Sequence, residues 1–185
     1  LDTLKHEDIP VPTLISGLEV LPDFEYGVHL ATDHLIREHH HEKILYLGLD
    51  MLYGSIAKYA GYSKTLEQHG LEVFPPLLTL GNENFAQYLD SCICKHKITA
   101  IVVSGDSFAV SFIYWLRSRG YKIPEEIAIV SFDGVYPELT SAVDESRKSA
   151  QIMAEIMIDK IESHNMKQLE MPLLIKGGLH IGTSC

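Results

Sequence analysis

Cysteine is scarce in this sequence: Cys92, Cys94 and Cys185 are the only three in 185 residues. Cys92 and Cys94 stand two apart in a stretch that reads as helix, where such neighbours do not face each other. An odd count without a disulfide framework reads as a protein of the reducing cytoplasm. Positive charge is also short, with 15 Lys and Arg against 25 Asp and Glu for a formal net charge of −10. An acidic surface repels a phosphate backbone, so these residues are not expected to hold nucleic acid themselves. No apolar run approaches the roughly 18 residues of a membrane span, and no cationic, apolar and small-residue signal opens the chain. No membrane partner is therefore expected. There is no P-loop, no dinucleotide fingerprint and no Gly-x-Ser-x-Gly elbow. The chain opens on Leu1, so it is expected to be a processed or truncated piece. What remains is an ordinary globular balance, 46% hydrophobic and 22% charged, enough for a sizeable core.

The apolar residues come in short runs. Ile44–Gly48, Ala100–Val103 and Ile127–Val130 are continuous and rich in β-branched side chains, the pattern of strands covered on both faces of a parallel sheet. Weaker strands are predicted near Leu71–Val73 and Leu173–Ile175, and Thr140–Val143 reads as extended. Helical spacing fills the intervals at Phe24–Arg37, Ser55–His69, Glu83–Cys94 and Asp106–Arg119. The second and fourth run into Gly70 and Gly120, good C-caps. Strand starts recur about every 28 residues, the size of one βα unit. The fold class is α/β with a doubly wound parallel sheet. A long amphipathic helix follows at Glu145–His164, with Ile152, Met153, Ile156, Met157 and Ile161 on one face. A Gly-rich tail closes the chain.

Several segments taken in order carry a family likeness. They are Ile9-Pro10-Val11; Asp23–Gly27 (DFEYG); Ala31–Ile36 (ATDHLI); Gly61–Gly70 (GYSKTLEQHG); Thr99–Ile101 with Asp106 and Ala109; Gly120–Asp133 (GYKIPEEIAIVSFD); and Pro137–Ser141 (PELTS). In this order the sequence resembles the effector domain of LacI/GalR-type transcription regulators over nearly its whole length. It departs from the pattern at Gly105-Asp106, where the family has Asn-Asp, at Gly134 after Phe132-Asp133, and at Lys58, where it has Arg.

The resemblance implies a type I periplasmic-binding-protein-like fold in which 1–18 ends the N-terminal lobe and 19–139 forms the C-terminal lobe. It makes 140–165 the crossover to the N-terminal lobe, 166–185 the return, and places the DNA-binding headpiece outside the chain. It also implies a sensor of a small sugar-like effector that dimerises side by side through the helices near 84–94 and 106–119, is no enzyme, and reaches DNA only through that headpiece. In such sheets ligands bind beyond the carboxyl ends of the strands. The candidate ligand-binding residues are thus Asp133, Lys58, Asp106, Asp23 and Phe85. Asp133 follows a buried strand directly. Asp106 is either a pocket group or a helix N-cap, and Asp23 has the same two readings. Lys58 offers a point charge in place of an arginine fork or is a solvated lysine. Phe85 (or Glu83) is a stacking platform or plain helix packing. Three carboxylates with one nearby lysine favour a neutral sugar or polyol over a phosphate. No cofactor and no metal are expected: His34, His39, His40 and His41 sit at a helix end, and the i, i+5 spacing of His34 and His39 is not the i, i+4 pairing of a helical metal site. Two alternatives stand: a sugar-binding protein of a transport system with the same fold, and a hydrolase using Ser107 of the Ser104–Ser107 run. A helix-turn-helix preceding the chain would favour regulation, and a secretory signal would favour transport.

Overall fold

The computed structural model describes residues 20–49, 53–79, 85–164 and 171–185. The Ile9–Val11 segment, Glu83 and most of the loops after the second and third strands lie outside them. The chain divides into two compact units, one of Leu1–Pro22 with Glu145–Ile175 and one of Asp23–Asp144 with Lys176–Cys185.

The larger unit is built on a six-stranded sheet. Its strands are β2 (Ile44–Gly48), β3 (Leu77–Leu78), β4 (Ala100–Val103), β5 (Ala128–Asp133), β6 (Thr140–Val143) and β8 (Leu179–His180), in the spatial order β3-β2-β4-β5-β6-β8. All pairings are parallel except the last, where β8 runs antiparallel to β6 with Ser141 opposite His180. The expected doubly wound α/β architecture is therefore present. The reversal of strand order beside β2 and β4 puts a topological switch point at their carboxyl ends.

The continuous apolar runs are explained by two cores, one on each face. Ile44, Tyr46, Val102, Val130 and Phe132 point to one face, with Val28, Leu35, Tyr62 and Leu66 of α1 (Phe24–Arg37) and α2 (Tyr53–Gln68) above them. Leu45, Leu47, Ile101, Val103 and Ile129 point to the other, under Leu89 and Ile93 of α3 (Phe85–His96) and Phe112 and Leu116 of α4 (Asp106–Ser118). Because side chains alternate along a strand, a strand buried on both faces cannot show polar alternation. Each fully buried Leu or Ile contributes roughly 1.5–3 kcal/mol of transfer free energy. Gly70 (φ 68°) and Gly120 (φ 92°) adopt the left-handed conformation expected of residues that end α2 and α4.

The expected strand at Leu71–Val73 is a correction. Leu71 N–H closes the end of α2 by donating to Leu66 O at 2.9 Å. The edge strand forms only at Leu77–Leu78, after Pro75 and Pro76, which have no N–H to give to a ladder. The strand expected to start at Ile127 starts one residue later.

In the smaller unit, β1 (Val20–Pro22) pairs in parallel with β7 (Leu173–Ile175), and α5 (Ser146–Ser163) packs on β1. Ile152, Met153, Ile156 and Met157 of the expected stripe are half-buried, whereas Ile161 is exposed.

Candidate functional site

Three strand ends and two helices converge at the carboxyl edge of the larger sheet. A cavity of about 290 Å³ lies there, lined by Leu49 after β2, Ser104 and Gly105 after β4, Asp133 at the end of β5, and Lys58 of α2. Ser107 and Phe108 from the first turn of α4 complete its wall. The sheet topology alone requires a crevice at this edge, and the polar residues gather in it.

Asp133 is half-buried and keeps a backbone φ of 129°, a region that disfavours any side chain. Such a conformation costs on the order of 1–3 kcal/mol and persists only where neighbours enforce it. Its Oδ2 accepts the Asp106 N–H at 3.2 Å. Burial pushes its carboxyl above the usual aspartate range, while the Lys58 charge and the Asp106 N–H pull it back. One N–H uses only part of a carboxylate's accepting capacity, which leaves room for hydroxyl donors.

Lys58 is not a solvated lysine. Its Nζ donates to Ser104 O at 2.7 Å and stands 4.2 Å from the centre of the Phe132 ring and 5.2 Å from that of Phe24. Burial lowers the pKa of its ammonium from the usual lysine value, and the carboxylates of Asp133, Asp144 and Asp106 oppose that. The aromatic faces and the carbonyl replace part of the lost hydration.

Asp106 departs from both of its expected readings. It is completely buried and does not line the cavity, and it is the first residue of α4 rather than the N-cap, which is Gly105. Its Oδ1 accepts the hydroxyls of Ser131 at 2.5 Å and Ser141 at 2.6 Å, and its Oδ2 accepts the N–H groups of Val135 at 2.7 Å and Tyr136 at 3.4 Å. The Ser141 hydroxyl in turn accepts the Gly134 N–H at 3.1 Å. Asp106 therefore ties the loop after Asp133 to β5 and β6, and its own N–H orients the Asp133 carboxylate.

Asp23 and Phe85 lie apart from this group. Asp23 is the N-cap of α1, accepting the Tyr26 N–H at 3.0 Å. It opens on a separate cavity of about 310 Å³ with His29, Lys64 and Gln68. Phe85 packs against the core beneath α3 and α4, and the aromatic wall of the larger-sheet cavity is Phe108. Sequence reasoning also missed Asp144, directly after β6. Its Oδ1 is buried with no hydrogen-bond partner among the described residues, and its N–H donates to Asp133 O at 3.4 Å. Its position one residue past a predicted extended segment was the available signal.

The periplasmic binding protein-like domain matches residues 32–185. The chain belongs to this family. Curated relatives of this periplasmic binding protein-like chain include bacterial transcriptional repressors and a transcriptional regulator. An HTH-type transcriptional repressor PurR from Vibrio atlanticus is 26% identical over 187 aligned residues, covering 90% of this chain and 55% of that protein. The HTH-type transcriptional regulator RegA of Clostridium saccharobutylicum is 23% identical over 128 residues, 62% of this chain and 37% of that protein. This chain thus spans about half the length of the PurR relatives it matches. Among solved structures, a sugar-binding transcriptional regulator of the LacI family from Escherichia coli, complexed with phosphate, superposes with a TM-score of 0.74 at 23% identity, over 93% of this chain and 64% of that one. A CelR–cellobiose complex gives 0.73 at 20% identity, over 95% and 57%. The expected likeness to LacI-type effector domains is borne out. Among the described residues, no helix is long and apolar enough to cross a membrane.

Proposed function

We propose that this chain is the effector-binding and dimerisation domain of a LacI-type transcriptional repressor, and that a neutral sugar or polyol occupies the cavity at the carboxyl edge of the larger sheet. The observation that carries this reading is that Asp133, Lys58 and Phe108 line one cavity together. A carboxylate and hydroxyls hold adjacent sugar hydroxyls, and an aromatic face covers the ring. Asp133, Asp144 and Asp106 all act on Lys58, and this carboxylate excess disfavours a phosphate. Two neighbours of known fold are described as bound to cellobiose and to ribose, which makes these sugars the first probes. Base contacts belong to a headpiece outside these residues, in keeping with the net charge of −10. Effector binding then shifts the population of domain states with a coupling on the order of 1–3 kcal/mol. The site of action is the cytoplasm, and turnover of the ligand forms no part of the role.

The test is a thermal-shift and calorimetric screen of mono- and disaccharides, beginning with ribose and cellobiose. A ligand at 100 times its Kd adds about 2.7 kcal/mol of stability. Asp133→Ala is expected to abolish that gain, and a variant that keeps it refutes the assigned pocket. Dimerisation is assigned to α3 and α4, where Tyr88 and Tyr114 are 55% and 70% exposed. Sedimentation of Tyr114→Asp as a monomer, against a dimeric parent, supports that face, and an unchanged dimer rejects it.

A further inference from the structure

The last turn of α1 brings two imidazoles together that the sequence spacing keeps apart. His34 lies in that turn, and the chain leaves the helix through His40 at φ 57°. His40 N–H donates to Ile36 O at 3.1 Å and His41 N–H to Leu35 O at 3.0 Å. This left-handed reversal folds His39 back over His34. Their Nε2 atoms are 3.2 Å apart and their rings meet edge to face at 71°. The i, i+5 spacing that argues against a metal on a continuous helix therefore loses its force once the helix has ended.

A third donor arrives from the other end of the chain. The ligand atoms of His34, His39 and Cys185 all lie within 4.8 Å of one another. Cys185 is held in place through its neighbour. The Ser184 hydroxyl donates to Ile129 O at 2.7 Å and accepts the Thr140 N–H at 2.9 Å, and Ser184 O accepts the Ile129 N–H at 2.7 Å. The segment that presents the thiol is thus fastened to the sheet.

We propose that His34, His39 and Cys185 form a binding site for a late first-row transition-metal ion, with Zn²⁺ the ion that best suits two imidazoles and one thiolate. Bond lengths of about 2.0–2.1 Å to nitrogen and 2.3 Å to sulfur set tetrahedral edges of roughly 3.3 Å between nitrogens and 3.6 Å between nitrogen and sulfur. The imidazole pair already has the first spacing, and side-chain rotation closes the second. A nitrogen and sulfur donor set excludes Ca²⁺ and Mg²⁺, which take oxygen. Water fills the fourth position. The thiol proton passes to solvent as the metal–sulfur bond forms. The ion would clamp the end of α1 to the segment after β8. It lies at the far end of a helix about 21 Å long from Phe24 and Lys58, and the proposal is independent of the sugar reading.

The experiment uses the tag-free 185-residue chain, freed of metal with a chelator and kept reduced. Competition with a chromophoric chelator measures Zn²⁺ affinity, and Co²⁺ reports thiolate ligation by its charge-transfer absorption. One ion per chain is expected. His34→Ala, His39→Ala and Cys185→Ser should each weaken binding by more than the roughly 10–100-fold that loss of an outer-sphere partner costs, and Cys185→Ser should remove the Co²⁺ charge-transfer band. His40→Asn, at an exposed left-handed position that asparagine tolerates, should bind as the parent does. The proposal is overturned if the parent binds no Zn²⁺ at tenfold excess. Equal affinity in Cys185→Ser also overturns it, as does an equal loss in His40→Asn, which would put the ion on the surface histidine triplet.

Discussion

Removal of the Asp106 carboxylate tests whether the loop after β5 is held from beneath. The carboxylate is fully buried and accepts two hydroxyls, from Ser131 and Ser141, and two N–H groups, from Val135 and Tyr136. Ser131 and Ser141 are themselves 1% and 0% exposed, so Asp106→Ala leaves both hydroxyls without water to turn to. A hydrogen bond to a charged group is worth about 1.5–3 kcal/mol. Deleting the carboxylate also recovers its own desolvation cost, so the four bonds do not sum. A buried donor left without its acceptor costs about 1–3 kcal/mol, and with two buried hydroxyls so affected we expect about 4 kcal/mol here. For a chain of this size that lowers Tm by roughly 8–16 °C. Asp106→Asn keeps one accepting oxygen and should cost about half as much. Urea and thermal unfolding of both variants measure the difference. Sugar affinity should fall in Asp106→Asn although residue 106 does not line the cavity, because the residues following Asp133 lose their anchor. A loss below about 1 kcal/mol in Asp106→Ala, or an Asn variant as damaged as the Ala one, refutes the network as drawn.

Two further perturbations probe the scaffold. In Gly61→Ala the new Cβ meets the Glu25 carbonyl oxygen, a backbone atom of α1 that cannot rotate away. The helices must part at a cost of roughly 1–3 kcal/mol, seen as a fall in Tm. A rise in Tm, as the better helix propensity of alanine alone would give, contradicts that contact. Asp33 accepts His69 Nε2 at 2.7 Å and Arg37 Nε at 2.8 Å. Burial acts upward on its carboxyl, but Arg37 and His69 together hold it below its ordinary value of 3.8. A carboxylate depressed in the folded state contributes stability that is full above the ordinary value and lost as pH falls through the folded one. Asp33→Asn should therefore lower Tm at neutral pH by the equivalent of at most about 1 kcal/mol, since the pair is partly exposed. The gap to the parent should close on acidification below 3.8. A gap that persists at the lowest pH assigns the effect to something other than charge.

The strands of the central sheet were legible because burial on both faces writes itself as unbroken β-branched sequence. Ile44–Gly48 and Ala100–Val103 have the bounds expected of them. The edges were less legible. Leu71, Glu72 and Val73 alternate as a strand would, yet the end of α2 captures the Leu71 N–H and two prolines delay the ladder to Leu77. At the opposite edge, the Gly-rich tail conceals β8, whose two residues are too few to carry a period. Edge strands pair on one side only, so their sequences carry half the constraint.

The candidate site divides along the same physical line. Asp133 was found because it stands at the exit of a buried strand, and a strand's exit point is fixed by the sheet. Lys58 was found only by its place in a family motif: helix periodicity does not say that an ammonium lies over Phe132 and against Ser104 O. Asp106 and Asp133 look alike in sequence, each an acidic residue at or shortly after the end of a buried apolar run, yet one is fully buried and the other lines the cavity. The difference lies in partners contributed by Ser131, Ser141 and Val135, 25 to 35 residues away along the chain. An acceptor that faces four donors is committed to structure. One that faces a single N–H among the described residues, beside a lysine and at a strained backbone angle, retains capacity for a ligand. Donor count therefore separates the positioning carboxylate from the binding one: Asp106→Ala should cost mainly stability, with sugar affinity falling only through the loosened loop, whereas Asp133→Ala should cost sugar affinity directly with the smaller loss of stability.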